Sequence, residues 1–341
     1  MKPIHFIAGC MLVLTLRLPA QQAAPDPQMQ AVLDAHASLN PKPVETLDAK
    51  EARKQPSVAD AVAKLMKQQG KKPVEVGHIK NTSVKIGDHS VKLRIYSPKG
   101  DGPFPVILYI HGGGWVLADL DTYDASPRAL CNAVNAVVVS TDYRHAPEHP
   151  FPASHEDVFS VYKWVLENTD KLNYDSKKIA VVGESAGGNM AAGISLMAKE
   201  RGVPLPLYQV LVYPVADMRG TTTPSKTENA DAKPLNTPMM AWFAKQELSK
   251  PADAESPRMT LLLAGDALKA MPPTTVIQAQ IDPLRSEGED LAQKLKDAGV
   301  KVNQKLFPGV THEFFGMGSV VDKAKEAEDL AAADLKAALG Q

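Results

Sequence analysis

The chain has 341 residues, of which 44% are hydrophobic, and carries 38 lysines and arginines against 39 aspartates and glutamates. This length and apolar content predict a large core, in one α/β domain with an appendage or in two domains. The near balance of charge gives no electrostatic reason to expect nucleic acid or an acidic membrane as a partner. No histidine or cysteine spacing matches a metal site, because prolines interrupt any helix that would align His145 with His149.

Residues 1–24 have the pattern of a secretory signal peptide. Lys2 supplies the positive start, residues 4–16 are mostly apolar, and small residues follow at Ala20, Ala23 and Ala24. The apolar run is shorter than the roughly 20 residues that cross a bilayer, so no stable membrane span is expected. Cys10 ends a string similar to a lipoprotein cleavage site, but most of the apolar run follows it. We therefore expect a periplasmic or secreted protein and no lipoprotein form.

Residues 25–73 are predicted to form an N-terminal helical segment, with helices near 28–38 and 57–69. In the second helix, three apolar residues recur at i, i+4 and i+7 and so share one face: Val58, Val62 and Leu65. We expect this apolar face to be buried, either against the body of the protein or over a pocket.

From residue 74 onward, strands alternate with helices, which predicts a mostly parallel, doubly wound sheet. A hairpin over residues 84–96 adds an antiparallel N-terminal edge. A helix over 154–167 is expected to begin with Ser154 as N-cap and Asp157 at N3. The remaining predicted strands cover residues 105–110, 136–140, 179–182, 208–213, 274–280 and 302–307.

An insertion over residues 216–257 interrupts this alternation. Its apolar cluster, Met239, Met240, Trp242 and Phe243, either packs a helix onto the body or lines a pocket. Farther on, a helix is expected over 323–339. An exposed edge strand or this last helix could form a homodimer interface, although the helix's alanine and leucine spacing favours packing on the sheet.

The motif with the most chemical information is Gly183-Glu184-Ser185-Ala186-Gly187, which lies between an apolar run and a helix-like run. Strand, sharp turn and helix is the context in which G-x-S-x-G presents a nucleophilic serine on a strained turn. The two glycines remove side chains that would collide there. The motif also places Ser185 at the N-terminus of a helix, where unpaired N–H groups stabilise the negative charge that develops during attack. Ser185 is therefore a candidate nucleophile. A glycine-flanked serine in an ordinary turn is the alternative.

An activated serine needs a base, and the base needs an orienting acid. In proteins with a G-x-S-x-G turn, the nucleophile, the acid and the base occur in the chain order Ser, Asp or Glu, His. His312 is the only histidine after Ser185. Asp282 directly follows a predicted strand, at the end of the sheet where parallel-sheet sites collect. Glu287 and Asp290, in the following helix, are the weaker alternatives.

A tetrahedral intermediate also needs hydrogen-bond donors for its oxyanion. The string His111-Gly112-Gly113-Gly114 follows a predicted strand, and consecutive glycines let backbone N–H groups approach a substrate oxygen. With the N–H of Ala186, this string offers three donors: Gly113, Gly114 and Ala186. A glycine run alone more often forms a flexible loop, but here four motifs occur in the order that the chemistry requires.

These motifs resemble those of the hormone-sensitive lipase family of α/β-hydrolases, the bacterial carboxylesterases with an HGGG motif. The resemblance covers about residue 74 to the C-terminus. It rests on the strings at residues 111–115, 143–148, 183–188, 282–285 and 312–314. It implies an α/β-hydrolase fold over 74–341, a catalytic triad of Ser185, Asp282 and His312, and a helical cap formed by residues 25–73 and 216–257.

The implied activity is that of a serine carboxylic-ester hydrolase that needs no cofactor or metal. Its expected partner is a small-molecule ester of short to medium chain length, or an aryl ester. A ligand-binding protein on the same fold and an amide hydrolase are the alternatives. The sequence departs from the family at Glu184, often aspartate, at His145, usually leucine, and at Ser286, often an acid. Arg144 is expected to pair with an acid.

Overall fold

The computed structural model describes residues 23–168 and 172–341, so most of the predicted signal peptide, residues 1–22, lies outside the described residues. Within these ranges the strands form one sheet in the order β1-β2-β4-β3-β5-β6-β7-β8. The strands are β1 His78–Ile86, β2 His89–Ser97, β3 Phe104–Ile110, β4 Val137–Asp142, β5 Tyr174–Glu184, β6 Tyr208–Val212, β7 Thr274–Ile281 and β8 Val302–Thr311.

The sheet is mostly parallel, as the alternation of strands and helices predicted. Neighbouring strands from β3 to β8 pair in parallel, whereas β1 pairs antiparallel with β2 and β2 pairs antiparallel with β4. In this register Ile110 lies beside Thr141 of β4 and Gly183 of β5. The carboxyl ends of these three strands therefore meet at one edge, where the residues that follow them can share a site.

The last strand is longer than predicted. Pro308 and Gly309 are typical of a turn, yet β8 continues through both to Thr311 after a register shift opposite Ala279 and Ile281. Because β8 is an edge strand, the missing N–H of Pro308 does not interrupt a central ladder. The extension carries the chain directly to His312.

Helices cover both faces of the sheet. Apolar side chains of α5, α6 and α9 pack on one face, and those of α4 and α10 pack on the other. The last helix thus packs on the sheet, as its spacing predicted. The helices are α1 Pro27–Ala37, α2 Ala49–Ala52, α3 Val58–Gln68, α4 Ala125–Val134, α5 Ala153–Glu167, α6 Ala186–Arg201, α7 Pro224–Glu228, α8 Thr237–Glu247, α9 Arg285–Asp297 and α10 Asp322–Leu339. Among the described helices, none is long and apolar enough to cross a bilayer.

The predicted N-cap of α5 is wrong. The helix begins after Pro152 without a side-chain cap, and Ser154 lies inside its first turn. The Ser154 hydroxyl is buried and donates to Glu247 Oε1 at 3.3 Å. Asp157 instead accepts hydrogen bonds from Arg144. Tertiary partners thus take both side chains away from the local capping role that their spacing suggested.

Candidate active site

Ser185 occupies the sharp turn between β5 and α6. Its φ of 57° lies in the left-handed region that L-residues avoid, so the turn is strained. The backbone of Val212 holds it there by accepting a hydrogen bond from the Ser185 N–H at 2.9 Å. At Gly187 a Cβ atom would lie 2.1 Å from the carbonyl oxygen of Ile110. Glycine is required there because α6 begins in direct contact with β3.

The three side chains expected to form the triad lie within hydrogen-bonding distance. His312 Nε2 is 2.9 Å from Ser185 Oγ, and His312 Nδ1 is 2.7 Å from Asp282 Oδ2. The other oxygen of Asp282 accepts the N–H of Leu284 at 2.8 Å. When Asp282 accepts a hydrogen bond from the Nδ1–H, the lone pair of Nε2 is left to take the proton of the serine hydroxyl.

The alternative acids have other roles. Glu287 is buried on α9, lies 2.9 Å from Lys226 Nζ and accepts the N–H of Ala216 at 3.0 Å. Asp290 lies on the same helix and is exposed. Asp282 is therefore the carboxylate, among those three, that contacts the His312 imidazole.

Neighbouring charges affect the protonation of His312. Burial lowers the pKa of its imidazole, but the Asp282 carboxylate, with Glu313 and Glu184, raises it, and the net pKa lies above the ordinary 6.5. The Tyr213 ring packs on the imidazole with 4.5 Å between ring centroids. The buried ion pair with Asp282 thus favours the imidazolium that would form during proton transfer.

Two further acids border the site. Glu184 is buried and accepts hydrogen bonds from the hydroxyls of Tyr109 and Tyr213, and burial raises its pKa to about 7. Glu313 lies 3.9 Å from His312 Nε2 and accepts the Tyr123 hydroxyl on both oxygens, at 2.8 and 2.6 Å. Sequence reasoning missed both roles. The position of Glu313 directly after His312 was the one available signal.

The glycine loop after β3 lies beside Ser185. A Cβ atom on Gly112 would be 3.1 Å from Ser185 Cβ, so the loop and the nucleophile are in contact. Gly113 has a φ of 92°, and a Cβ there would lie 2.2 Å from the carbonyl oxygen of Leu117. Among the described residues, the N–H groups of Gly113 and Gly114 have no hydrogen-bond acceptor, so both are available to a ligand.

A cavity of about 1840 Å³ includes Ser185 and His312 in its lining. It is also lined by residues of both segments expected to form the cap, 25–73 and 216–257. From the predicted apolar cluster, Met239, Met240 and Phe243 face the cavity, while Trp242 packs in the core. Phe243 does both, because it belongs to the core and its ring contacts Gly114.

Comparison with known proteins shows which family this chain belongs to. A family model of the α/β-hydrolase fold matches residues 107–316. The ethyl acetate hydrolase of Pseudomonas putida is 34% identical over 289 residues, which are 83% of this chain and 88% of that protein. Carboxylesterase NlhH of Mycobacterium tuberculosis is 39% identical over 257 residues, 73% of this chain and 79% of that protein.

Solved structures of esterases are also similar to this chain. A hyperthermophilic esterase from the archaeon Pyrobaculum calidifontis has a TM-score of 0.83 and 37% identity, covering 92% of this chain and 98% of that chain. The chain belongs to the hormone-sensitive-lipase-like family of α/β-hydrolases.

The structure shows the surroundings of Ser286, Arg144 and His145 in this α/β-hydrolase. Ser286 exchanges hydrogen bonds with Ser225 at 3.0 and 3.1 Å and so joins α9 to α7. Arg144 pairs with Asp157 through two nitrogens, at 2.9 and 2.8 Å, as predicted. His145 lies beside His111 and Asp142, which brings three side chains capable of metal ligation together.

Proposed function

We propose that this protein is a serine carboxylesterase that hydrolyses small-molecule esters with Ser185 as nucleophile. The observation that carries the proposal is the continuous hydrogen-bond chain from Ser185 through His312 to Asp282, in the lining of a large cavity. The named esterases among its relatives support the same reaction class.

In the proposed mechanism, the Ser185 oxygen attacks the ester carbonyl while its proton passes to His312 Nε2. Asp282 stabilises the resulting imidazolium. The oxyanion accepts hydrogen bonds from the N–H groups of Gly113, Gly114 and Ala186, and one such donor lowers the barrier by about 3 kcal/mol.

Collapse of the intermediate breaks the ester C–O bond, and the proton on His312 goes to the leaving alcohol. Water then attacks the acyl-enzyme, with His312 again accepting the proton. The carboxylic acid leaves, and Ser185 recovers its proton.

The preferred substrates are short- to medium-chain or aryl esters. Phe243, Met239 and Met240 give the cavity an apolar wall that suits an acyl chain or an aromatic ring. We propose that residues 25–73 and 216–257 act as a cap that limits access by proteins and so favours small substrates. The relative named as an ethyl acetate hydrolase supports activity on short chains.

The test is hydrolysis of p-nitrophenyl esters from acetate to palmitate by the wild type and Ser185→Ala. We expect the variant to lose at least about 10³-fold in kcat and the wild type to be fastest on the shorter chains. Ser83→Ala, on the exposed side of β1, is the matched control and should keep full activity.

Two other outcomes would redirect the proposal. A ligand-binding protein would leave the wild type as inert as Ser185→Ala on every ester. An amide hydrolase would also cleave matched anilides in a reaction that Ser185→Ala abolishes, whereas an esterase would leave the anilides almost uncleaved.

We also propose that the protein is exported after cleavage near residue 24, because residues 1–24 have the charge and apolar pattern of a signal peptide. N-terminal sequencing of protein recovered from the periplasm or medium tests this. Recovery of the intact chain from the cytoplasm alone would contradict it.

A further inference from the structure

Three potential metal ligands meet where β3 and β4 end. Ile110 and Thr141 are register partners in the parallel pair, so the next residues, His111 and Asp142, lie side by side. His145 follows three residues later in the loop after β4. One nitrogen of each imidazole and one carboxylate oxygen lie within 4.8 Å of one another.

The two imidazoles have unused nitrogens. His111 is fully buried, and neither its Nε2 nor the buried Nε2 of His145 has a hydrogen-bond partner among the described residues. A buried polar atom without a partner is costly, and most such atoms in proteins bind a side chain, water or an ion. Two such imidazoles whose ligand atoms lie within 4.8 Å of each other and of a carboxylate oxygen are suited to a cation.

The hydrogen bond that orients the His111 ring suits ligation. His111 Nδ1 donates to the carbonyl oxygen of Gly112 at 2.8 Å, so its Nε2 carries a lone pair. A backbone carbonyl in this position is the usual outer partner of a metal-bound histidine.

We propose that His111, Asp142 and His145 form a zinc site with two nitrogen ligands and one oxygen ligand. Such a set suits Zn²⁺ and not Mg²⁺ or Ca²⁺, which prefer oxygen ligands. Neighbouring ligands of tetrahedral zinc lie about 3.3 Å apart, so the side chains need to close by at most roughly 1.5 Å. Among the described residues, the Asp142 carboxylate has one ion pair, at 3.6 Å with Nζ of the exposed Lys92.

The ion would join the end of β3 to the loop after β4, immediately before the glycine loop, whose Gly113 N–H is a proposed oxyanion donor. The zinc site does not depend on the ester-hydrolase proposal, since none of its ligands belongs to the Ser185, Asp282 and His312 set.

The test measures zinc binding to metal-free protein by competition with a chromophoric chelator, with MgCl₂ as the comparison salt. We expect one Zn²⁺ per chain in the wild type and at least 10-fold weaker binding in His145→Leu and in Asp142→Asn. His149→Leu is the matched control, because His149 is an exposed histidine four residues away, and it should bind like the wild type. Zinc should also raise the melting temperature of the wild type by roughly 2 °C or more, but not that of His145→Leu.

Three results would overturn the site: no stoichiometric zinc binding to the wild type, equal binding to both ligand variants, or loss of binding in His312→Asn. The last would place the ion at the triad instead. If His145→Leu does not fold, Asp142→Asn decides the question, because the substitution keeps the shape of the side chain.

Discussion

Trp242 Nε1 donates a hydrogen bond to the carbonyl oxygen of Leu47 at 3.0 Å, across 195 residues of chain. The two residues belong to the two segments that line the cavity from outside the sheet. The Asn236 side chain adds a second contact between these segments, to Glu45 at 3.3 Å. The two segments therefore form one connected wall of the cavity, although one precedes β1 in the chain and the other lies between β6 and β7.

Trp242→Phe should weaken the contact between the two segments that form this wall. The substitution keeps an aromatic ring but leaves the Leu47 carbonyl without its donor, which costs roughly 1–3 kcal/mol if the group stays buried. We expect a lower melting temperature and a changed ratio of KM values for p-nitrophenyl butyrate and decanoate, with kcat little affected. Trp164→Phe on α5 is the control. Unchanged stability and KM values would show that the hydrogen bond does not hold the segments together.

Asp282→Asn tests the assignment of the orienting acid. An amide cannot hold the Nδ1 proton in the productive tautomer, so kcat should fall by about 10⁴-fold. Asp290→Asn, on the neighbouring helix, should leave kcat within about twofold of the wild type. The reverse pattern in the two variants would reject Asp282 as the acid.

The pH profile of kcat/KM should report the protonation of His312. Its pKa is raised above 6.5, so activity should rise with pH and reach half its maximum above pH 6.5. Glu313→Gln removes a negative charge 3.9 Å from Nε2 and should move that midpoint to lower pH. The exposed Glu75→Gln should not move it. A rate that stays constant down to pH 5 would show that His312 is not the base.

Gly113→Ala should damage the proposed oxyanion site. The new Cβ would lie 2.2 Å from the Leu117 carbonyl oxygen, so the loop must shift and its N–H groups must lose their alignment. We expect kcat to fall by about 10²–10³-fold with a smaller change in KM. Gly100→Ala is a close control, because Gly100 has a φ of 100° but open space around it. Equal losses in both variants would point to general strain.

Glu328 should make the protein less stable at alkaline pH. Burial raises the pKa of its carboxyl from 4.5 to about 8. Between these two values the folded state binds the proton and the unfolded state does not, so stability falls as the pH rises. Glu328→Gln should remove this slope and be more stable than the wild type above pH 8, by roughly 1–3 kcal/mol. Urea unfolding at pH 5 and pH 8.5 measures it, with the exposed Glu326→Gln as control. Parallel slopes in wild type and variant would contradict the role of Glu328.

Local sequence determined the sheet and the order of its chemical motifs. Short continuous apolar runs such as residues 105–110 predict buried strands, and G-x-S-x-G marks a strand-to-helix turn within a few residues. Since His312 is the only histidine after Ser185 and Asp282 directly follows a strand, the amino-acid sequence was enough to predict these three residues as candidates. Each prediction depends on a pattern of a few neighbouring residues, and such short patterns can be recognised in a sequence.

The tertiary structure decided the contacts between distant residues. The strand order places β4 beside β3, and only that order brings His145 next to His111. Likewise Tyr123 meets Glu313 across 190 residues, and Ser154 donates to Glu247 instead of capping its helix. No short sequence pattern predicts such pairs. The free energy that favours these contacts comes from burying the whole core and from hydrogen-bonding its polar atoms at the same time.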